Sequence, residues 1–146
     1  MKPGINIQVL WYDADVFEIR VSAWNGAFGG SVNAYVPIGG LGEAASELAG
    51  FPKSSSDVRE ILFGNFGPEW AGGAARIRFY CNDSAGHALV EASLESDQRN
   101  DTKVQTATLF GPVEAAAVDN FVAELKQLEA EQHGSAFLRI GEYVSR

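Results

Sequence analysis

The sequence is poor in the residue types that form covalent cross-links and metal sites. Its 146 residues include one cysteine, Cys81, and two histidines, His87 and His133. A single cysteine excludes a framework of intramolecular disulfides and is typical of a reducing compartment. Two histidines and one cysteine, scattered along the chain, are too few for a zinc site. We therefore expect neither a metal nor a cofactor.

Long apolar runs and basic residues are also scarce. No segment approaches the roughly 20 apolar residues of a membrane-spanning helix. Residues 1–4 lead directly into a predicted strand without a signal peptide, which predicts a cytoplasmic protein. There are 11 basic and 19 acidic residues, a net charge of −8. This balance argues against binding to nucleic acid or anionic membranes, and it suits either a basic protein partner or simple solubility.

Motifs for nucleotide binding and catalysis are missing. The glycine-rich stretch Gly39–Gly42 lacks the Lys and Ser/Thr of a phosphate-binding loop, and it fails the G-x-G-x-x-G spacing. As a helix N-terminus it would still attract an anion. Cys81 shares the inward face of a predicted strand with Phe79, which indicates a structural thiol rather than a nucleophile. The sequence therefore predicts a protein without catalytic residues.

Two alternating segments predict an antiparallel hairpin in the middle of the chain. Residues 75–81 and 87–95 have the period of half-buried strands, and turn-forming residues fill 82–86 between them. One register places the apolar residues of both strands on one face, and a one-residue slip would destroy this match. The predicted pairs are Phe79 with Val90, Ile77 with Ala92, Arg78 with Glu91, and Tyr80 with Leu89.

The N-terminal part of the chain predicts three strands followed by a helix. The first strand has Ile5, Ile7, Val9 and Trp11 on one face. Asn25-Gly26 predicts a two-residue type I′ hairpin turn, because both residues tolerate positive φ. That turn would pair Ala23 with Phe28, Val21 with Gly30, Ile19 with Val32 and Phe17 with Ala34. Helical spacing follows at Leu41, Ala44, Ala45 and Leu48.

The C-terminal part repeats this order. After the central hairpin and a charged loop at 97–101, a third strand is predicted over 103–110. Pro112 is predicted to occupy the first helical position, where a missing N–H is tolerated. The amphipathic helix that follows is predicted over Val113–Leu128, and a short edge strand over Ala136–Tyr143. Between the two parts, Asp57–Phe63 suits either a helical turn or a strand, and Gly64–Gly73 is predicted to be an irregular loop.

These elements predict one domain, residues 1–146, in the α+β class. We expect a largely antiparallel β-sheet with helices packed on it. The similar order of residues 5–50 and 75–132 predicts a duplicated β-β-β-α unit, whose two helices would occupy equivalent positions. The alternative is a single meander capped by helices.

One face of the central hairpin carries the candidate site residues. A histidine and a carboxylate on one strand face could act as a general acid and base. A tryptophan from the irregular loop would complete a pocket between sheet and loop. The alternative interpretation is a solvent-exposed sheet face with an ordinary cross-strand ion pair. The candidates are Arg78, Tyr80, His87, Glu91 and Trp70.

A family resemblance adds a function hypothesis. The segment Ala75–Ser96, with D-S-A-G-H-A at its turn, precedes a strand and an amphipathic helix, Val113–Leu128. This order resembles small bacterial proteins, some of whose relatives are immunity proteins of polymorphic toxin systems. The resemblance implies a non-enzymatic, toxin-neutralising protein and carries over no catalytic residues. Two other hypotheses are a ligand-binding protein or enzyme using the candidate pocket, and a homo-oligomer formed through open sheet edges.

Overall fold

The computed structural model describes residues 2–98 and 103–142, which form two four-stranded antiparallel sheets and two helices. This is an α+β fold, as the sequence predicts. The first half contains β1 (Gly4–Tyr12), β2 (Val16–Trp24), β3 (Gly29–Pro37), α1 (Gly40–Leu48) and β4 (Val58–Gly64). The second half contains β5 (Ala74–Cys81), β6 (Ala88–Glu95), β7 (Thr106–Val113), α2 (Ala115–Glu131) and β8 (Ser135–Arg139).

Each sheet is completed by a strand from the other half of the chain. Sheet 1 has the order β3-β2-β1-β8, and sheet 2 has the order β4-β5-β6-β7. The chain therefore runs twice through β-β-β-α-β, and the last strand of each run pairs with the first strand of the other. The two strand triplets have the same order, which a duplicated unit requires. The predicted unit did not include the fourth strand of each run, or the pairing of that strand with the other half of the chain.

A single hydrophobic core joins both sheets and both helices. The helices pack against each other, α1 also contacts β4, and α2 also contacts β8. The residues predicted at helical spacing are buried as expected. They are Leu41, Ala44, Ala45 and Leu48 in α1, and Val118, Phe121, Val122, Leu125 and Leu128 in α2.

The central hairpin has the predicted register. All four predicted pairs, from Ile77–Ala92 to Tyr80–Leu89, are observed. The turn is closed by the Asn82 N–H, which donates a hydrogen bond of 2.6 Å to the His87 carbonyl oxygen. The alternation of both strands was enough to determine this pairing.

The predicted register of the first hairpin is wrong by two residues. Ala23 pairs with Gly30 and Val21 with Val32, so the turn has four residues, 25–28. The cause is the buried side chain of Asn25. Its Oδ1 accepts hydrogen bonds from the backbone N–H groups of Ala27 and Phe28, at 2.9 and 2.8 Å, and these stabilise the longer turn.

Trp11 does not lie on the inward face, contrary to the prediction. The register between β1 and β2 shifts between Val9 and Trp11, which is the signature of a β-bulge. The bulge places Trp11 opposite Glu18 on the outer face, where 51% of the tryptophan surface is exposed. Strict alternation along the sequence could not reveal this extra residue.

Pro112 belongs to a strand, not to the first turn of a helix as predicted. It pairs with Leu89 in β7, and α2 begins only at Ala115. Proline lacks a backbone N–H and is tolerated here because β7 is an edge strand of sheet 2.

The remaining boundaries differ from the predictions by a few residues. The ambiguous segment Asp57–Phe63 forms a strand, β4. The third strand of the second half lies at 106–113 instead of 103–110, and the final strand ends at Arg139. Tyr143, the predicted end of that strand, and most of the predicted charged loop at 97–101 lie outside the described residues.

Candidate functional site

Three of the five predicted site residues lie together on the outer face of sheet 2. Arg78 lies directly opposite Glu91 in the β5–β6 register. The guanidinium carbon of Arg78 is 5.3 Å from the centre of the Tyr80 ring, a cation–π contact. The structure therefore brings Arg78, Tyr80 and Glu91 together as predicted.

The other two predicted residues lie at opposite ends of this sheet. Trp70 belongs to the loop before β5, and His87 to the turn after it. β5 has eight residues and therefore spans about 23 Å. The structure does not bring Trp70 and His87 together, because the full length of this strand separates the segments that carry them.

His87 forms its main contact within its own turn. Its Nδ1 lies 2.7 Å from Asp83 Oδ2, while Asp83 Oδ1 accepts hydrogen bonds from the N–H groups of Ala85 and His87. The hydrogen bond to the imidazole, with the backbone bonds, lowers the pKa of Asp83. The histidine side chain is 80% exposed. A carboxylate that orients an imidazole suits a general base, but this pair also closes the turn.

A groove of about 580 Å³ lies beside this turn. It is lined by His87, Glu114, Arg139 and the first turn of α2. No sequence motif points to Glu114 and Arg139 as neighbours of His87, because the three residues are far apart in the chain and meet only through the sheet topology.

The N-terminus of α1 is capped by a carboxylate from α2. Oε2 of Glu129 accepts a hydrogen bond from the Gly39 N–H at 3.1 Å. Oε1 accepts hydrogen bonds from the N–H groups of Leu41 and Gly42 at 3.0 and 3.1 Å. The glycine-rich segment that would attract an anion therefore already binds one from its own chain.

The C-terminus of α1 is capped by Arg59 from β4. Its Nη1 donates hydrogen bonds to the carbonyl oxygens of Glu47 and Ala49, at 2.7 and 3.1 Å. Asp57 holds the guanidinium in place with two hydrogen bonds, of 2.7 and 2.9 Å. This pairing lowers the pKa of Asp57, helped by the Lys53 N–H, and raises the pKa of Arg59. Both ends of α1 are thus fixed by charged side chains from neighbouring elements.

The two helices carry a net negative charge, as do the loops, whereas the strands are close to neutral. Residues 40–48 and 115–131, which we call the helical layer, contain six acidic residues and one lysine, a net charge of −5. The strands of sheet 1 contain one acidic and two basic residues, and those of sheet 2 contain three of each. The acidic residues of the helical layer are Glu43, Glu47, Asp119, Glu124, Glu129 and Glu131.

Within the described parts of the chain, no group of three or more His, Cys, Asp or Glu residues could hold a metal ion. Cys81 is partly buried, and its Sγ lies 3.6 Å from the Ser54 carbonyl oxygen. Among residues 2–98 and 103–142, no helix has both the length and the hydrophobicity needed to cross a membrane. Comparisons with protein-family profiles, curated proteins and solved structures found no match.

Proposed function

We propose that this protein binds another protein that carries a positively charged surface, and that it does so through the helical layer. The observation that supports this proposal is the charge density of the helices: they carry a net charge of −5, the strands are close to neutral, and the described loops spread a net charge of −5 over more residues. Four of the acidic side chains are exposed: Glu43, Glu47, Asp119 and Glu131.

Two exposed carboxylates of the helical layer have no ionic partner. Among the described residues, neither Glu43 nor Asp119 forms an ion pair. A basic partner would be attracted by the negative charge and steered towards the layer before contact. The backbone of α1 is already fixed by Glu129 and Arg59 at its two ends. Little conformational entropy would therefore be lost when it binds.

The family resemblance supports a narrower proposal, in which the partner is a toxin and the protein neutralises it without catalysis. A toxin that acts on nucleic acid needs a basic surface for the phosphates of its substrate. An acidic helical layer that covers this surface would block the substrate. The protein would then act by occupying the toxin, and no residue of its own would perform chemistry.

The first test uses the product of the gene directly upstream as the partner. Calorimetric titrations at low and high salt measure its affinity for this protein. We expect the affinity to fall at least about tenfold between 50 and 300 mM NaCl, because salt screens exposed charges. Absence of binding, or an affinity that salt leaves unchanged, would refute the proposal.

The second test locates the binding surface. The variant Glu43→Gln, Glu47→Gln, Asp119→Asn removes three charges from the helical layer. The matched control, Asp15→Asn, Glu69→Gln, Glu142→Gln, removes three charges elsewhere. We expect the first variant to weaken binding about tenfold and to reduce its salt dependence, while the control changes it less than about twofold. Equal effects would mean that net charge, and not the helical layer, determines binding.

Ligand binding or catalysis on the outer face of sheet 2 is the alternative function. The observation in its favour is the cluster of Arg78, Tyr80 and Glu91. A ligand there would contact the arginine and the tyrosine ring together. Chemical-shift changes confined to these residues during a screen of small acids would support it, and a screen without such changes would count against it.

Self-association through sheet edges is the third hypothesis. The free edge of β8 is partly occupied, because the Phe137 N–H donates a hydrogen bond of 2.8 Å to Glu124 Oε1 of α2. Pairing of two copies would therefore use another edge, such as β4, where Val58 and Leu62 are half exposed. Sedimentation of a monomer at high concentration would remove this hypothesis.

A further inference from the structure

A groove on the outer face of sheet 1 has no role in the proposed protein binding. It lies where β8, β1 and β2 meet, and its volume is about 480 Å³. This volume is within the range of small-molecule sites. The side chains that line it include Trp24, Phe137, Lys2, Arg139, Asn6 and Ser22. We call it the Trp24 groove.

Two aromatic rings lie against the backbone of the sheet in this groove. A Cβ atom at Gly4 would overlap the Phe137 ring, and a Cβ atom at Gly29 would lie 2.8 Å from a ring carbon of Trp24. Glycine at these two positions therefore lets each ring rest on the strand beside it. Both rings are only partly buried, so each keeps a surface that a ligand can contact.

Two cations flank the rings. Lys2 and Arg139 are both exposed, and within the described residues neither forms an ion pair. Arg139 lies opposite Gly4 in the β1–β8 register, and Lys2 is two residues before Gly4 in the chain. The groove therefore has unpaired positive charge, although the whole chain is strongly acidic.

The corresponding part of sheet 2 is covered by the protein itself. Ala74 occupies the register position in sheet 2 that Gly4 occupies in sheet 1. Beside Ala74, the loop of residues 65–73 is tied to the sheet, because the Gly67 N–H donates a hydrogen bond of 3.0 Å to Glu95 Oε2. Among the described residues, sheet 1 has no equivalent of this loop over its groove.

We propose that the Trp24 groove binds a planar aromatic molecule that carries a carboxylate or a phosphate group. The aromatic part packs against Trp24 and Phe137. The anionic group pairs with Lys2 and Arg139, whose guanidinium can donate two parallel hydrogen bonds. The amide of Asn6 lines the groove and can orient the ligand, as can the remaining hydrogen-bonding capacity of the Ser22 hydroxyl, which lies 3.0 Å from Ser31 Oγ.

Calorimetric titrations with adenosine 5′-monophosphate and with 2-naphthoate test this class of ligand. Adenosine and 2-naphthalenemethanol are the matched compounds without the anionic group. We expect saturable binding of at least one anion with a Kd below about 1 mM, and at least about tenfold weaker binding of its uncharged counterpart. Binding of one anion only identifies phosphate or carboxylate as the preferred group. Failure of both anions, or equal affinity for charged and uncharged compounds, overturns the proposal.

Variants then locate the binding site. Arg139→Gln and Trp24→Leu should each weaken binding of the better anion at least about fivefold. Arg20→Gln is the matched control, because it removes one positive charge from the same face of sheet 1. Arg20 lies outside the groove, where it donates a hydrogen bond to Asn33. Thermal melts confirm that each variant is folded. Equal losses in Arg139→Gln and Arg20→Gln would show that general charge, and not the groove, holds the ligand.

Discussion

Glu129, near the end of α2, accepts a hydrogen bond of 3.0 Å from the backbone N–H of Leu41, the second residue of α1. The N-cap residue of α1, Gly39, has no side chain to do this. Four N–H groups at a helix start lack partners within the helix, and a negative charge there also favours the helix dipole. One carboxylate from the second half of the chain thus fixes the start of the helix in the first half.

We therefore expect Glu129→Ala to lower the free energy of unfolding by about 1–3 kcal/mol, because three backbone N–H groups lose their acceptor. Glu129→Gln should lose less, since it keeps one oxygen. Urea denaturation measures both. Glu131→Ala, which removes an exposed carboxylate that accepts a hydrogen bond from Gln127, is the control and should change stability by less than about 0.5 kcal/mol. Equal losses of stability in Glu129→Ala and Glu131→Ala would contradict the capping role of Glu129.

A second prediction concerns the buried amide of Asn25, which is 2% exposed. Its Nδ2 donates a hydrogen bond of 2.9 Å to the Phe110 carbonyl oxygen, and its Oδ1 accepts hydrogen bonds from two backbone N–H groups. Asn25→Asp replaces the donor by an oxygen that faces another oxygen. We expect a loss of at least about 2 kcal/mol at neutral pH, measured by thermal or urea unfolding. Asn65→Asp, in an exposed loop, should be close to neutral.

The pair of Asp57 and Arg59 predicts a pH dependence. Because the pKa of Asp57 is lowered in the folded protein, its ionised form stabilises the fold. This contribution is fully present above the ordinary aspartate pKa of about 3.9 and is lost as the pH falls through the folded value. Asp57→Asn should therefore be less stable than the parent at pH 7, and this difference should shrink below about pH 4. Unfolding curves from pH 2 to 7 measure it, and a constant difference would argue against the ion pair.

The core of α2 supports a fourth prediction. Phe121 and Leu41 are both completely buried, one in each helix. Phe121→Ala should cost about 3–5 kcal/mol, because it removes a full aromatic ring from a packed core. Leu41→Ala removes less apolar surface and should cost less. Chemical denaturation of both variants checks the order, and a larger loss at Leu41 would show that α1 carries more of the core.

The sequence predicts elements well where one local pattern determines them. The register of the central hairpin follows from alternation on two strands, and the buried stripe of α2 follows from helical spacing. Prediction from the sequence fails where a local structure depends on a contact with a residue far away in the chain. The turn at Asn25 is held partly by Phe110, which is 85 residues away in the chain. Nothing near Asn25-Gly26 indicates that contact, so the shorter turn was the natural prediction.

The candidate site shows the same division. Arg78, Tyr80 and Glu91 are neighbours because adjacent strands with a known register must bring them together. The separation of Trp70 from His87 follows from the same elements, because Trp70 precedes β5 in the chain and His87 follows it. The groove between Trp24 and Phe137 could not be predicted at all, because Phe137 reaches it only through the pairing of β8 with β1.

The exchange of β4 and β8 has a consequence for synthesis on the ribosome. Leu138 pairs with Ile5 across almost the whole chain. During synthesis β1 emerges early, and one of its edges stays unpaired until residues 135–139 have left the exit tunnel. Such distant pairing slows folding, and an open edge of an unfinished sheet is a site of aggregation. The nascent first half, with its exposed Ile5 and Ile7, is accordingly the species that a chaperone would be expected to hold.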